Sequence, residues 1–212
     1  MTIRMASDKT ITVAMTGASG APYTLRLLQQ LIQAGVRVQF ICSQPGQIVM
    51  ATETELKLPA SPQQMQLKLC EHLDCSKEQI VVYGKDQWSA PVASGSSVAD
   101  AMIVCPCSMG SLAAIAHGLG NNLIHRAADV ILKERKKLVL VPRETPFSSL
   151  HLENMLKLSN LGAVILPPNP AFYQGVGSIQ DLIDFVVSRI LDQLDIDNAL
   201  SPRWGQPQEP TT

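Results

Sequence analysis

Six short apolar runs, at 12–15, 36–42, 80–83, 101–105, 138–141 and 163–166, alternate along the chain with stretches of helical periodicity at 23–34, 46–54, 62–73, 111–117, 123–135, 149–161 and 179–194. Apolar runs of this length, rich in β-branched residues and separated by amphipathic helices, read as strands buried on both faces. The alternation predicts an α/β architecture in three layers, a Rossmann-like (flavodoxin-like) doubly wound, mostly parallel sheet. In such sheets ligands sit beyond the carboxyl ends of the strands, so the residues just after each strand are the ones to inspect.

The segment 11–31, ITVAMTGASGAPYTLRLLQQL, runs from the first apolar run through a small-residue turn straight into a helix. At Gly17, Ala18, Ser19 and Gly20 the small side chains let backbone N–H groups close on an anion at the positive end of that helix. Gly17 and Gly20 lack the GxGxxG spacing and no Walker lysine follows, so a mononucleotide suits the turn better than NAD or ATP. A strand-to-helix turn that merely needs small residues accounts for the same letters.

Two hundred and twelve residues, 46% of them hydrophobic, suffice for a single domain over 1–212, with tails at 1–9 and about 206–212. A formal charge of −1 supplies no basic field for nucleic acid. No window approaches about 18 uninterrupted apolar residues, and the segment before the first strand has no apolar core, so a cytoplasmic chain without a membrane span is expected. The five cysteines, Cys42, Cys70, Cys75, Cys105 and Cys107, fall in or beside apolar patterns and read as reduced. Cys105 and Cys107 lack a second ligand pair, and His72, His117, His125 and His151 show no zinc spacing, so no metal is expected.

Ser43 follows the second strand, Pro106 to Gly110 the fourth, and Pro142, Arg143, Glu144 and Thr145 the fifth, so all border one crevice. Taken singly, Ser43, Ser108 and Thr145 are equally well explained as helix N-caps, worth about 1 kcal/mol each. The segment APVASGSSVA at 90–99 is either flexible filler or a loop able to wrap a flat ring closely. Met155, Leu156, Leu158 and Leu161 form a stripe that reads as core, while their helix and the loop PPNPAFYQG also suit subunit contacts.

MTGASGAPYTLRLL, MATETEL, SGSS, CPCSMG, the long block from Asn121 to Pro168, PAFY and PRWG follow one another in fixed order. In that order they resemble the flavin prenyltransferases of the UbiX type, from about Ile11 to Gly205. The resemblance implies a flavoprotein that joins a dimethylallyl group from dimethylallyl monophosphate to N5 and C6 of reduced FMN, without a metal. It further implies a homododecamer with active sites built from more than one subunit, and delivery of the prenylated FMN to a UbiD-type decarboxylase. By matching motif, Gly17, Ala18, Ser19, Ser43, Cys107, Ser108, Met109, Gly110 and Arg143 would hold FMN. Arg126, Lys133, Glu144, Tyr173 and Arg189 would hold the prenyl phosphate, Trp204 would close over the site, and Ser19, Glu53, Lys133, Glu144 and Trp204 would be catalytic.

These residue types suit that chemistry. Breaking an allylic C–O bond builds negative charge on phosphate, which Arg126, Lys133 and Arg189 would stabilise as it grows. Glu53 with Ser19 would handle protons near the flavin, and Glu144 would orient Lys133 or the phosphate. Simpler accounts exist: Lys133 to Lys137 end a helix, Arg126 and Asp129 suit a surface pair, and Trp204 suits an anchor for the C-terminus. Two rival functions remain, an FMN-dependent cysteine decarboxylase of the same fold and a non-catalytic FMN-binding protein.

Overall fold

The computed structural model describes residues 9–173, 175–203 and 205. Six strands, β1 (Thr10–Met15), β2 (Arg37–Cys42), β3 (Ile80–Tyr83), β4 (Ala101–Cys107), β5 (Lys137–Pro142) and β6 (Val164–Ile165), form one sheet. Its order is β3-β2-β1-β4-β5-β6 and every neighbouring pair is parallel. This is the doubly wound Rossmann arrangement, whose strand order reverses between β1 and β4 and opens a crevice there. Seven helices connect the strands: α1 (Ala21–Gln33), α2 (Gln44–Glu53), α3 (Pro62–Leu73), α4 (Met109–Ala116), α5 (Leu123–Lys133), α6 (Ser149–Asn160) and α7 (Ile179–Gln193).

The period-two alternation of the strands sends side chains to two apolar layers. Ile11, Val13 and Met15 of β1 pack with Leu27, Leu28 and Leu31 of α1 and with Val187 and Ile190 of α7. Ala14 of β1, with Met102 and Val104 of β4, packs with Leu112 of α4 and with Ile124 and Ala128 of α5. Each fully buried leucine of α1 contributes about 1.5–3 kcal/mol by leaving water. Arg26 of α1 grips Asp184 of α7 through Nε–Oδ1 at 2.7 Å and Nη2–Oδ2 at 3.0 Å, tying the two helices of that layer together.

Three local expectations are corrected. β4 does not stop at Cys105: its pairing with β5 shifts register between Val104 and Cys107. The extra residue turns the Cys107 side chain into the layer under α4 and α5, while Cys105 faces the opposite layer. On α6, Met155 and Leu158 are buried, but Leu156 and Leu161 are 63% and 58% exposed, because a step of about 100° per residue carries Leu156 off the stripe. Lys9 does not belong to a tail, since its Nζ donates to the carbonyls of Leu194 and Asp195 at the end of α7, both at 2.9 Å.

The caps sort the candidate hydroxyls. Ser43 accepts from Gly46 N and caps α2, and Ser108 accepts from Ser111 N and caps α4. Thr145 caps nothing; its hydroxyl donates to the Glu144 carbonyl. Ser148 caps α6 in a reciprocal box with His151. Among the described residues no helix is long and apolar enough to cross a membrane. Trp204 and the residues 1–8 and 206–212 lie outside the described residues.

Candidate active site

Thr16, the first residue past β1, holds the crevice open in a fixed shape. Its buried hydroxyl donates to the Pro106 carbonyl at 2.8 Å and accepts from Ser108 N at 2.7 Å, so the ends of β1 and β4 are stitched together. Ser43 joins them through its backbone N–H, which donates to the Met15 carbonyl at 3.0 Å. Gly20 then turns the chain into α1 with φ +132°, a conformation that a side chain would strain.

The N-terminus of α1 is already occupied by an anion from the chain itself. One oxygen of the Glu53 carboxylate accepts from Gly20 N and Ala21 N, both at 2.8 Å. Partial burial pushes this carboxyl upward. That effect is outweighed by hydrogen bonds from the Ser19 hydroxyl and the two amides and by the Arg143 guanidinium, so Glu53 stays ionised below the usual carboxylate range. The small residues of the turn alone suit this helix end to a bound phosphate. The geometry gives it to Glu53, which the helix dipole and two charge-assisted hydrogen bonds favour in the same way.

Around this pair lies most of the predicted FMN set. Arg143 donates through Nε to the Ser19 carbonyl at 3.3 Å, and its backbone N–H donates to the Cys107 carbonyl at 3.2 Å. Gly17, Ser19, Gly110 and Arg143 are exposed, while Ser43, Ser108 and Met109 are half-buried. A Cβ on Gly110 would meet nothing within 4 Å, so there is room beside α4 for a flat ring. Cys107 contributes its backbone, because its thiol is fully buried in the core and pushed far up by burial.

The predicted phosphate ligands fall into separate groups. Arg126 and Lys133 lie seven residues apart on α5, hence on one face, above the small-residue segment that follows β3. Arg126 donates through Nε to the Ala93 carbonyl at 3.1 Å and pairs with Asp129 at 2.8 Å. Lys133 pairs with Glu134, and the two side chains sit over Gly95, where a Cβ would lie 2.7 Å from Lys133 Nζ. The glycine of SGSS therefore makes the space that the paired ends of Glu134 and Lys133 occupy. The Glu144 carboxylate accepts from Thr145 N at 3.1 Å.

Glu144 instead lines a cavity of about 360 Å³ with Arg143, Phe147, Pro167 and Asn169. A second cavity of about 350 Å³ shares Pro167 and Asn169 with it and contains Arg189. Tyr173 is exposed on the loop that precedes α7, and Arg189 pairs with Asp192 at 2.7 Å. Among the described residues the hydrogen bonds and ion pairs of Arg126 and Lys133 thus run within α5, to Glu134 and to the segment that follows β3, and those of Arg189 stay on α7. A groove of about 680 Å³ between α1, α3 and α7 contains none of the predicted site residues.

Thr16 and Asp192 were not singled out from the sequence. The only signal for Thr16 was its place at the end of the first strand in MTGASG; Asp192 looked like any surface acid on an amphipathic helix.

A profile for the family described as Flavoprotein matches residues 2–191. The chain is 59% identical to the flavin prenyltransferase UbiX of Pseudomonas aeruginosa over 202 residues, 95% of this chain and 97% of that one. It belongs to the UbiX family of flavin prenyltransferases. The crystal structure of AnUbiX (PadA1) in complex with FMN and dimethylallyl pyrophosphate superposes with a TM-score of 0.83 at 43% identity, covering 94% of this chain and 99% of that chain. A dodecameric FMN-dependent UbiX-like decarboxylase from Escherichia coli O157:H7 gives 0.82 at 38% identity, covering 93% and 100%. As a UbiX family member the chain is a flavoprotein and a prenyltransferase, so the small residues lining the crevice have a flat ring to accommodate.

Proposed function

We propose that this chain transfers a dimethylallyl group from dimethylallyl monophosphate to N5 and C6 of reduced FMN, without a metal ion, in the cytoplasm. The observation that carries the proposal is the ionised Glu53–Ser19 pair at the crevice, with Arg143 beside it. The α1 amides are spent on Glu53, so an incoming phosphate must be held by side-chain cations, and Arg126, Lys133 and Arg189 are the cations available.

The crevice fits FMN through small or exposed groups at Gly17, Ala18, Ser19 and Gly110, with Ser43, Ser108, Met109, Cys107 backbone and Arg143 around them. Reduced FMN, when bound, supplies the nucleophilic N5 and C6. Arg126, Lys133 and Arg189 donate hydrogen bonds to the phosphate and stabilise the charge that grows there as the allylic C–O bond breaks. Arginine suits the task because its planar fork matches phosphate oxygens. The ionised Glu53 carboxylate stabilises cationic character that develops nearby, and it accepts a proton through the Ser19 hydroxyl when the second ring closes. Glu144 faces the cavity shared with Phe147 and serves the phosphate end.

Tyr173 and Arg189 act on the crevice of a neighbouring subunit in a homododecamer. This accounts for their separation from Lys133 within one chain and for the exposed Leu150, Leu152, Leu156, Phe172 and Ile179. The product passes to a UbiD-type decarboxylase, so this chain itself decarboxylates nothing.

The test is anaerobic. The protein is mixed with reduced FMN and dimethylallyl monophosphate without added metal, and the released flavin is weighed by mass spectrometry. A gain of one isoprene unit, lost on Lys133→Ala, is expected. Unchanged FMN, with the diphosphate and magnesium also tried, would overturn the proposal.

A further inference from the structure

Asp192, near the C-terminal end of α7, gathers more partners than any surface acid needs. Its Oδ2 accepts from Arg189 Nη1 at 2.7 Å and from Arg203 Nη1 at 2.8 Å. Its Oδ1 pairs with Arg203 Nη2 at 2.8 Å and accepts from Asn198 Nδ2 at 3.3 Å. The carboxylate side chain is only 17% exposed, although the two guanidinium groups are 51% and 41% exposed. Arg203 is therefore held in a two-pronged grip, whereas Arg189 commits a single N–H to Asp192. A guanidinium has five donors in a rigid fork, so Arg189 keeps a face free to bind an anion while Asp192 fixes its direction.

We propose that Asp192 is a positioning residue for prenyl transfer, holding Arg189 in its phosphate-binding orientation while Arg203 fixes the carboxylate from the other side. The proposal rests on the reading that Arg189 binds the prenyl phosphate. Two features favour positioning over simple stabilisation. The carboxylate is itself held by Arg203 and by Asn198, so it presents Arg189 with an acceptor fixed in direction. The grip is also asymmetric: a purely structural acid would gain most by taking both prongs of both arginines, yet only Arg203 is bound that way.

The experiment uses the full chain under anaerobic conditions, with reduced FMN saturating and dimethylallyl monophosphate varied. Asp192→Asn preserves the shape of the side chain but removes its charge, and charge-assisted pairs are about twice as strong as neutral ones. Asp192→Asn is expected to raise KM for the prenyl phosphate about tenfold, with kcat within about threefold and the Kd for FMN within about twofold. Asp192→Glu should recover much of the loss. In an Arg189→Ala, Arg203→Ala background, Asp192→Asn should add less than about twofold, because its effect passes through those two partners.

An unchanged KM in Asp192→Asn, with KM raised in Arg189→Ala, would overturn the assignment of Asp192 and leave the role of Arg189 standing. An unchanged KM in Arg189→Ala would overturn the role of Arg189 and the assignment with it. A loss of FMN affinity as large as the rise in KM would show a structural acid and overturn positioning.

Discussion

Replacing Glu53 by glutamine tests whether α1 is capped by a charge from the chain itself. The carboxylate oxygen accepts from Gly20 N and Ala21 N at 2.8 Å and lies at the positive end of the helix. Hydrogen bonds to a charged group contribute about 1.5–3 kcal/mol against about 0.5–1.5 kcal/mol for neutral ones. A charge at a helix N-terminus adds about 0.3–1 kcal/mol at exposed sites. The side chain is partly solvated, so the lower ends apply, and glutamine can still accept one hydrogen bond. The expected loss is about 1–2 kcal/mol, or a fall in Tm of about 4 °C for a chain of this size.

The pH dependence has a definite sign. The folded-state pKa of Glu53 lies below its usual value, so its stabilisation is complete above the unfolded-state pKa, roughly 4.3, and is lost as the pH falls through the folded value. Thermal melts of both proteins, followed by circular dichroism with no added flavin, should show a constant gap at neutral pH that narrows in acid. A Glu53→Gln variant with the wild-type Tm at pH 7, or a gap that persists unchanged through the acid range, would refute the capping argument.

Thr16→Val removes the hydroxyl that joins β1 to β4 and leaves the Ser108 N–H without its partner, while the Pro106 carbonyl keeps the Thr16 backbone N–H at 3.2 Å. It should lower stability by about 1–3 kcal/mol in denaturant titration and weaken FMN binding with it; an unchanged midpoint would show that water replaces the hydroxyl. Gly95→Ala places a methyl group among the flexible ends of Lys133 and Glu134, so Tm should move by less than about 2 °C while KM for the prenyl phosphate rises several-fold. Lost stability with an unchanged KM would mean that Gly95 serves the fold rather than the placement of Lys133.

Among the described residues every strand and α-helix was legible in the sequence because local periodicity records which faces are buried, and burial is strong along both faces of a parallel sheet. The positions that misled were those where a local pattern met a tertiary event. Nothing in CPCSMG shows that the register shift in β4 turns the Cys107 thiol into the core and leaves only its backbone toward the crevice. Leu156 and Leu161 looked like core on composition, but the angular step of the helix put them on the surface. The GASG turn looked open to phosphate, and nothing in its letters announced that Glu53, more than thirty residues on, would occupy the α1 amides.

The sequence by itself determined the layered α/β architecture, the strand-end positions that border the crevice, and membership of the flavin prenyltransferases, since these depend on residue type, period and order. Tertiary structure alone decided which charges are free to act. Whether a guanidinium or carboxylate meets a ligand depends on what else lies within about 3 Å of it, and chain order does not specify that distance. It pairs Glu53 with the α1 amides, seats Lys133 over Gly95, and leaves Arg189 one prong in the grip of Asp192 with the rest of its fork turned outward.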